Sequence, residues 1–433
     1  MASALDLMSA TESFLPISPT SSFSFSFVAP VTMLTLPLFA VAALPVVVAQ
    51  ANTTFLAEVV SALSGAGLTS IASIALNVNS TAVGQSVLAN ISNGTPHLLF
   101  APTNQALQAI SLTDNNTLAD TLAYHVVPGN FSSSVPTYPN TTLGRTLLTD
   151  GNFVQLEGGN KAQVVAWATR ADKKIHVLNQ KNDSTVVNST SVGNLTIWII
   201  DHVLQIPQDF STTVLADNLS LTGVDTVLKS VQTPFFNSTT NSTGNITLFD
   251  AFTSAFHGFT FFAPNASAIQ TVQSQLQALN TSEAQNLIYN HLLNGTTVYS
   301  PNLASQSFTT AAGETLSFII NSTGQFITDK ATNITAKIVQ PDVLLPNGVV
   351  HVIDRVLFDT NIDASAASSA VASATSAATA SQSSQTAPIG FSQTSGLASP
   401  TNTSNHALPA FGMNWSVLVV AIGVVFGAVV TVV

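Results

Sequence analysis

Short hydrophobic runs alternate with stretches rich in Ser, Thr and Asn over residues 52–361, and the same order of runs occurs twice. In each copy an apolar strand enters an Ala-Pro pair: HLLFAPTNQAL begins at His97 and FTFFAPNASAI begins at Phe259. Thr103 and Asn265 follow at the position of a helix N-cap, where a side-chain oxygen can accept a hydrogen bond from the first turn. The pattern predicts a buried strand followed by a helix in both copies.

A second repeated landmark is a helical segment that carries a histidine. The two segments are LADTLAYHVVPG, which contains His125, and SEAQNLIYNHLLNG, which contains His291. Apolar residues at helical spacing share a face with each histidine, so both side chains are expected to point into the core. Ser282 followed by Gln285 predicts a capping box at the start of the second helix.

The third landmark closes each copy with a strand rich in β-branched residues. NLTIWIIDHVLQIP contains Asp201, and NGVVHVIDRVLFD contains Asp354 at the same point of the repeat. Further strands are expected at residues 162–167, 175–178 and 315–320. Because helices concentrate early and strands late in each copy, the sequence predicts an α+β fold.

The first 50 residues are predicted to be a leader and signal peptide. The apolar run Met33–Ala49 precedes Gln50 and Ala51, which fits a cleavage site between small residues. The alternative, a helix retained in the mature protein and spanning a membrane, is disfavoured because the run is short for a span of about 20 residues.

The last residues, 405–433, are predicted to be a removable anchor signal. Trp415 to Val433 is continuously apolar with no Lys or Arg after it, and small residues precede it. This is the pattern of a glycosylphosphatidylinositol anchor, with Asn402, Ser404 or Asn405 as the attachment residue. A transmembrane tail is the alternative, but it normally carries flanking cations.

Residues 362–404 consist largely of Ser, Ala and Thr and contain too few large apolar residues for a core. The composition predicts an extended stalk, with a bare flexible linker as the alternative. Such a segment would hold folded domains away from the membrane.

Composition restricts the classes of function further. Only 7% of residues are charged and the net charge is −11, with no Lys or Arg before Arg145, so nucleic-acid partners are not expected. Cysteine is absent, which excludes disulfides and thiolate chemistry.

Roughly twenty Asn-x-Ser/Thr sequons indicate a glycosylated protein of the secretory pathway. Asn265 is a sequon as well as a predicted helix cap, and a side chain tied to backbone amides is poorly placed for glycan transfer, so we expect it to be unmodified. The candidate N-glycosylation sites are Asn52, Asn79, Asn130, Asn140, Asn237, Asn241 and Asn321.

The three repeated landmarks together resemble the fasciclin family: an Ala-Pro-Thr/Asn box, a Tyr-His segment and a terminal Ile-Asp-x-Val-Leu box. The resemblance implies two tandem domains, at 52–207 and 208–361, each a wedge-like β-sandwich decorated by helices. It also implies an extracellular adhesion or matrix protein of the kind found on walled cells, fungal ones in particular.

The resemblance further implies candidate adhesion residues, because some family members bind receptors through a Tyr-His motif and an Asp-Ile motif. Tyr124 and His125 match the first motif in domain one, whereas His291 follows an asparagine in domain two. Pro341, Asp342 and Val343 resemble the second motif, with valine for isoleucine. A structural role in core and turn is the alternative for all of them.

Catalytic chemistry finds little support in the sequence. The histidines lack metal-ligand spacing, and nucleotide and serine-hydrolase motifs are missing, so no metal or cofactor is expected. Asp201 and Asp354 are a pair of carboxylates that a glycosidase would need within ~5 to 10 Å of each other. A wall-modifying enzyme is therefore one alternative, and backbone hydrogen bonding by each Asp is the other.

A cluster of four basic residues is the last candidate site: Arg170, Lys173, Lys174 and Lys181. It is predicted either to be a solvated hairpin or to contact anionic polysaccharide.

The sequence thus favours a protein of adhesion or cell-wall organisation that is not an enzyme. Its expected partners are surface or matrix proteins or wall polysaccharide, and its membrane attachment is through a lipid anchor. A dedicated carbohydrate- or ligand-binding module is the main alternative.

Overall fold

The computed structural model describes residues 53–390, apart from 110–113, 132–134, 179–181, 217–218, 220, 222, 238–240 and 380–385. The predicted signal peptide, the anchor signal and the anchor attachment residues Asn402, Ser404 and Asn405 lie outside the described residues, as do Asn52 and Lys181.

The first domain begins with three helices and continues with strands and two further helices. Its elements are α1 Thr53–Gly65, α2 Thr69–Val78, α3 Ala82–Ile91, β1 His97–Pro102, α4 Asn104–Gln108, α5 Asn115–Tyr124, β2 Val126–Pro128, β3 Thr142–Arg145, β4 Val164–Thr169, β5 Ile175–Val177, β6 Ser184–Val192 and β7 Leu195–Ile200.

The second domain repeats this order with an added hairpin. Its elements are α6 Phe210–Val214, α7 Val224–Ser230, β8 Gln232–Asn237, β9 Ser242–Thr247, α8 Leu248–Asp250, a π-helical turn Ala251–Ala255, β10 Phe259–Pro264, α9 Ala266–Thr271, α10 Gln273–Ala278, α11 Thr281–Tyr289, β11 Leu292–Asn294, α12 Ser300–Leu303, β12 Phe308–Thr309, β13 Thr315–Asn321, β14 Gly324–Asp329, β15 Thr335–Leu345 and β16 Gly348–Ile353. The last described helix is α13, Ala364–Thr379.

Each domain forms one seven-stranded mixed sheet, in the order β2-β1-β7-β6-β5-β4-β3 and β11-β10-β16-β15-β14-β13-β12. The Ala-Pro strands β1 and β10 run parallel to the closing strands β7 and β16, and all other described pairs are antiparallel. All six residues of β1 and of β10 are buried, because both strands lie inside their sheets under covering elements. This confirms the predicted α+β class.

The helix starts after the Ala-Pro pairs are confirmed. Thr103 accepts a hydrogen bond from the backbone N of Ala106 at 3.2 Å, and Asn265 accepts one from the backbone N of Ala268 at 2.8 Å.

The predicted capping box of Ser282 and Gln285 is wrong. The helix starts two residues earlier than this pair requires, and Asn280 caps it in a reciprocal pair with Glu283. The Asn280 Oδ1 accepts from the Glu283 backbone N at 3.0 Å, and the Glu283 Oε2 accepts from the Asn280 backbone N at 2.9 Å. Ser282 therefore lies inside the first turn.

Aromatic side chains pack together in the cores of both domains. In the first domain Trp167 makes edge contacts with Phe100, Phe131 and Trp198, at ring-centroid distances of 5.5, 5.3 and 6.1 Å. In the second domain a cluster of phenylalanines occupies the corresponding core, and it includes Phe210, Phe249, Phe252 and Phe261.

The Ser/Ala/Thr-rich segment differs from its predicted extended form over α13. Ala367 and Ala378 of this helix are buried, and further along the segment Ile389 is buried as well. Alanine favours helix, and a chain with small side chains packs closely against other backbone. Gly158 of the first domain shows this: a Cβ on it would lie 2.4 Å from the Ala378 carbonyl oxygen. The start of the predicted stalk therefore packs on the folded domains.

Candidate functional site

Tyr124 and His125, the predicted Tyr-His adhesion motif, are both buried. The Tyr124 hydroxyl donates to the Val164 carbonyl at 3.2 Å. His125 Nε2 accepts from the Leu204 backbone N at 2.9 Å, so Nδ1 carries the proton and donates to the Thr121 carbonyl at 2.7 Å. Tyr124 thus ties α5 to β4, and His125 ties the end of α5 to the segment after the closing strand.

His291 repeats the same arrangement in the second domain. Its Nε2 accepts from the Leu357 backbone N at 3.0 Å and its Nδ1 donates to the Leu287 carbonyl at 2.8 Å. Burial lowers the pKa of both His125 and His291 to about 4. Both are neutral core residues at pH 7, as their position on the apolar helix face predicts.

Pro341, Asp342 and Val343, the predicted Asp-Ile element, lie at an irregularity in β15 and are all buried. Asp342 has a left-handed backbone, with φ of 57°, and its side chain is 0% exposed. The backbone N and the hydroxyl of Ser300 both donate to its carboxylate, the former at 2.7 Å. The Thr141 hydroxyl of the first domain donates to it at 2.8 Å.

The His351 ring holds the backbone of Asp342 through a hydrogen bond. Its Nδ1 accepts from the Asp342 backbone N at 3.2 Å, and its Nε2 donates to the Val298 carbonyl at 2.9 Å. Burial lowers the pKa of His351, so the ring is neutral and the Asp342 carboxylate is held by hydrogen-bond donors and not by an ion pair.

Asp342 thus belongs to an interface between the two domains. The Gln163 side chain donates to the Leu345 carbonyl at 3.0 Å, and the Thr297 hydroxyl donates to Glu157 at 2.6 Å. Beside these polar contacts lies an apolar cluster of residues from both domains and the C-terminal segment: Leu143, Val164, Ala166, Ala168, Leu178, Tyr299, Leu344, Val349 and Ile389.

Sequence reasoning missed this interface almost entirely. Thr141, Ser300 and Glu157 carry no pattern that distinguishes them from many other Ser, Thr and Glu residues. The one available signal was that Asp342 stands in an apolar strand, where an unpaired charge is costly.

Asp201 and Asp354 occupy equivalent structural positions, as their repetition predicts. Asp201 Oδ1 accepts from the Thr185 backbone N at 2.7 Å, and Asp354 Oδ1 accepts from the Lys337 backbone N at 2.8 Å. Each therefore joins the closing strand to its neighbour within its own domain, which is the backbone role that the sequence favours over catalysis.

The basic cluster surrounds the turn between β4 and β5. Arg170 forms an ion pair with Asp183, with its Nε 2.9 Å from Oδ2, and its guanidinium carbon lies 4.2 Å from the centre of the Tyr138 ring. Lys173 occupies a left-handed turn position, with φ of 63°. The described part of the cluster is thus a solvated hairpin with its arginine already paired, and polysaccharide binding there stays a prediction.

A small apolar pocket lies in the second domain between α7, α9, α10 and α11. Its cavity volume is about 30 Å³, enough for one or two water-sized groups. His291 is its polar lining residue, and both ring nitrogens of that histidine are already bonded. The pocket offers sugar hydroxyls no free partner.

Five of the predicted glycosylation sites have exposed side chains: Asn79, Asn130, Asn140, Asn241 and Asn321. Asn237 lies at the end of β8.

None of the described His, Asp and Glu residues form a group of three that can hold a metal ion. Between residues 53 and 390, the described helices include none with the length and apolarity to cross a membrane.

The chain belongs to the fasciclin family, because the model of the fasciclin domain matches it twice, at residues 76–207 and 224–359. It is 25% identical over 263 residues to a fasciclin-like arabinogalactan protein of Arthroderma benhamiae. That match covers 60% of this chain and 55% of the relative, so the chain spans about half the length of the relative.

A solved structure of a FAS1 domain pair from the insect cell adhesion molecule fasciclin I is also similar. The identity is 16% and the TM-score is 0.31, and the match covers 63% of this chain and 92% of that one.

Proposed function

We propose that this protein works in cell adhesion or in the organisation of a cell wall or matrix, and that it does so by binding and not by catalysis. The observation that carries the proposal is the presence of two fasciclin domains in one chain. Fasciclin-domain proteins act in cell adhesion and in wall and matrix organisation.

The contacts of the candidate residues support a surface-based mode of binding. Tyr124, His125, His291 and Asp342 all have their polar atoms engaged inside the fold. Adhesion by this chain then uses the outer faces of the domains and the groups attached to them. Many weakly binding copies in one membrane would give high avidity without any single tight site.

The protein is proposed to stand on the outer face of the plasma membrane through a lipid anchor at Asn402, Ser404 or Asn405. The supports are the apolar C-terminal run and the many sequons. Its proposed partners are surface or matrix proteins or wall polysaccharide.

Two measurements on cells that display the full chain test this function and its location. The expected results are stronger attachment to a wall or matrix preparation than that of cells without the chain, and release of the chain by phosphatidylinositol-specific phospholipase C. Equal attachment, together with release of soluble sugars that depends on Asp201 or Asp354, would instead indicate an enzyme. Retention despite a phospholipase-sensitive control protein would contradict the lipid anchor.

A further inference from the structure

The outer face of the β13–β14 hairpin carries an apolar patch beside a sequon. Side chains alternate between the faces of a strand, so Ile319 and Asn321 share one face. The register pairs Ile319 with Phe326 and Asn321 with Gly324, which places all four residues on that face. Ile319 is 60% exposed, although it stands next to a well-packed core.

Asn321 begins the sequence Asn-Ser-Thr at the turn of this hairpin. Its Oδ1 accepts hydrogen bonds from the Thr323 backbone N at 2.8 Å and from the Thr323 hydroxyl at 2.6 Å. The side chain is exposed, and its Nδ2, the atom that carries an N-linked glycan, makes no hydrogen bond to any residue that the structure describes. The Oδ1 atom therefore holds the amide in place, and the Nδ2 atom is open for attachment of a glycan.

Next to Asn321, Gly324 is buried under the side chain of Lys337. A Cβ on this glycine would lie 2.9 Å from Cε of Lys337 and 3.8 Å from the Phe326 ring. The alkyl stem of Lys337 thus lies over the glycine, and Lys337 also pairs with Phe326 across the sheet. Ile319, Phe326 and this stem form a continuous apolar floor, which we call the β13–β14 floor.

We propose that Asn321 carries an N-linked glycan whose first N-acetylhexosamine packs on the β13–β14 floor. A pyranose ring presents C–H groups on its faces, and these cover exposed apolar side chains as another apolar group would. The floor begins two residues from the attachment atom, so the glycan reaches it without a further partner. Ile319 is the most exposed side chain of this floor, and the sequon lies on the same face of the hairpin.

The modification needs a sugar donor of the class of lipid-diphosphate-linked oligosaccharides. The bond between the anomeric carbon of the first sugar and the diphosphate oxygen breaks, and a bond forms from that carbon to Asn321 Nδ2. The amide nitrogen loses one proton and the lipid diphosphate leaves.

Occupancy is tested first, by glycopeptide mass spectrometry of the full chain made in a eukaryotic secretory host. The expected result is a modified Asn321. An unmodified Asn321 would overturn the proposal.

Packing is tested by thermal unfolding of the same glycoprotein. Ile319→Ser removes part of the floor but keeps the sequon, and Asn321→Gln removes the glycan. Each is expected to lower the unfolding midpoint by about 2 °C. Trimming the glycan to its first sugar with an endoglycosidase is expected to leave the midpoint unchanged, because that sugar makes the contact.

Two controls separate glycan packing from other effects. The same variants are made in a bacterial host, where no glycan is attached and Ile319→Ser is expected to have little effect. Asn79→Gln removes a different exposed sequon, which is not on the β13–β14 floor and has an ordinary right-handed backbone, and is expected to leave the midpoint unchanged. Equal effects of Ile319→Ser in the two hosts would overturn the packing proposal. Equal effects of Asn321→Gln in the two hosts would overturn it as well, because the loss of the hydrogen bonds from Thr323 is common to both hosts.

Discussion

The hydroxyl of Thr141 in the first domain donates a 2.8 Å hydrogen bond to the carboxylate of Asp342 in the second, and both side chains are buried. The two residues are 201 positions apart in the sequence. A carboxylate without an ion pair in an apolar setting is costly unless every lone pair it offers finds a donor. Ser300 supplies two donors to this carboxylate and Thr141 supplies a third, so the contact links the folding of one domain to the placement of the other.

Thr141→Val keeps the shape of this side chain but removes the donor. We expect a loss of about 1.5 to 3 kcal/mol in the free energy of unfolding, as for other hydrogen bonds to charged groups. Urea unfolding measures it. In a double-mutant cycle with Ser300→Ala, the two losses should not be additive, because both donors serve the Asp342 carboxylate. Strict additivity, or no loss with Thr141→Val, would show that the carboxylate does not depend on these donors.

Ile389→Ala tests whether the end of the C-terminal segment packs on the domains. The Ile389 side chain is buried, and its backbone N donates to the Leu143 carbonyl at 2.9 Å. Truncation of a buried isoleucine should lower the free energy of unfolding by about 2 to 5 kcal/mol. The matched control is Ile362→Ala, at a position that is 46% exposed, where the change should stay within about 0.5 kcal/mol. Similar small effects of both variants would indicate that residue 389 is not held in the core.

Asn265 is expected to carry no glycan, because its Oδ1 caps α9 through the Ala268 backbone N. Asn265→Asp keeps the cap and destroys the sequon, so its stability should match that of the native chain. Asn265→Ala removes the cap and should cost about 1 kcal/mol. Glycopeptide mass spectrometry that found Asn265 fully modified would contradict the cap, as would equal stability of the Asp and Ala variants.

Asp120 is expected to make the domain less stable as the pH rises. Burial, assisted by the charges of Asp150 and Asp114, raises its pKa to about 6, and its Oδ1 has no hydrogen-bond partner among the described residues. In the unfolded chain this carboxyl has a pKa of about 3.9. The stabilisation from the protonated form is therefore complete below that pH and is lost as the pH rises through about 6. Asp120→Asn should therefore be more stable than the native chain at pH 8, and the two should converge near pH 4.

At each pH the stability of the native chain is compared with that of Asp120→Asn, because the buried histidines change the stability in the opposite direction as the pH rises. The pKa of His125 and of His291 is lowered to about 4, so their contribution to stability is lost as the pH falls from about 6.5. They act equally in both proteins and cancel in the difference.

A matched control for Asp120 is Asp172, in the turn between β4 and β5, whose charge is not one of those that raise the pKa of Asp120. Hydrogen bonds from the Lys174 backbone N and from the His176 ring lower the pKa of Asp172, so Asp172→Asn should be the less stable protein at pH 8. The same pH trend for both variants would contradict the assignment.

Local patterns were sufficient to predict the repeated elements. Thr103 and Asn265 follow an Ala-Pro strand, and capping is decided within three residues of the chain. The inward orientation of His125 and His291 follows from helical spacing. The error at Ser282 was also local, because Asn280 is an equally good cap and lies two residues before it.

Contacts between distant segments could not be predicted in this way. Thr141 contacts Asp342 because the two domains pack against each other, and no periodic pattern in the sequence predicts that contact. Ile389 stands alone in a segment rich in Ser and Thr, where composition indicates an unfolded stalk. The β13–β14 floor likewise depends on the register of β13 with β14.

The most direct test of the proposed adhesion function is an aggregation measurement on beads that carry the purified full chain and are mixed with beads that carry wall or matrix material. We expect mixed clusters whose number rises with the density of the chain on the bead, and no release of soluble sugar from the wall material. Beads that stay dispersed at every density, or wall material that is steadily broken down, would contradict an adhesive, non-catalytic role.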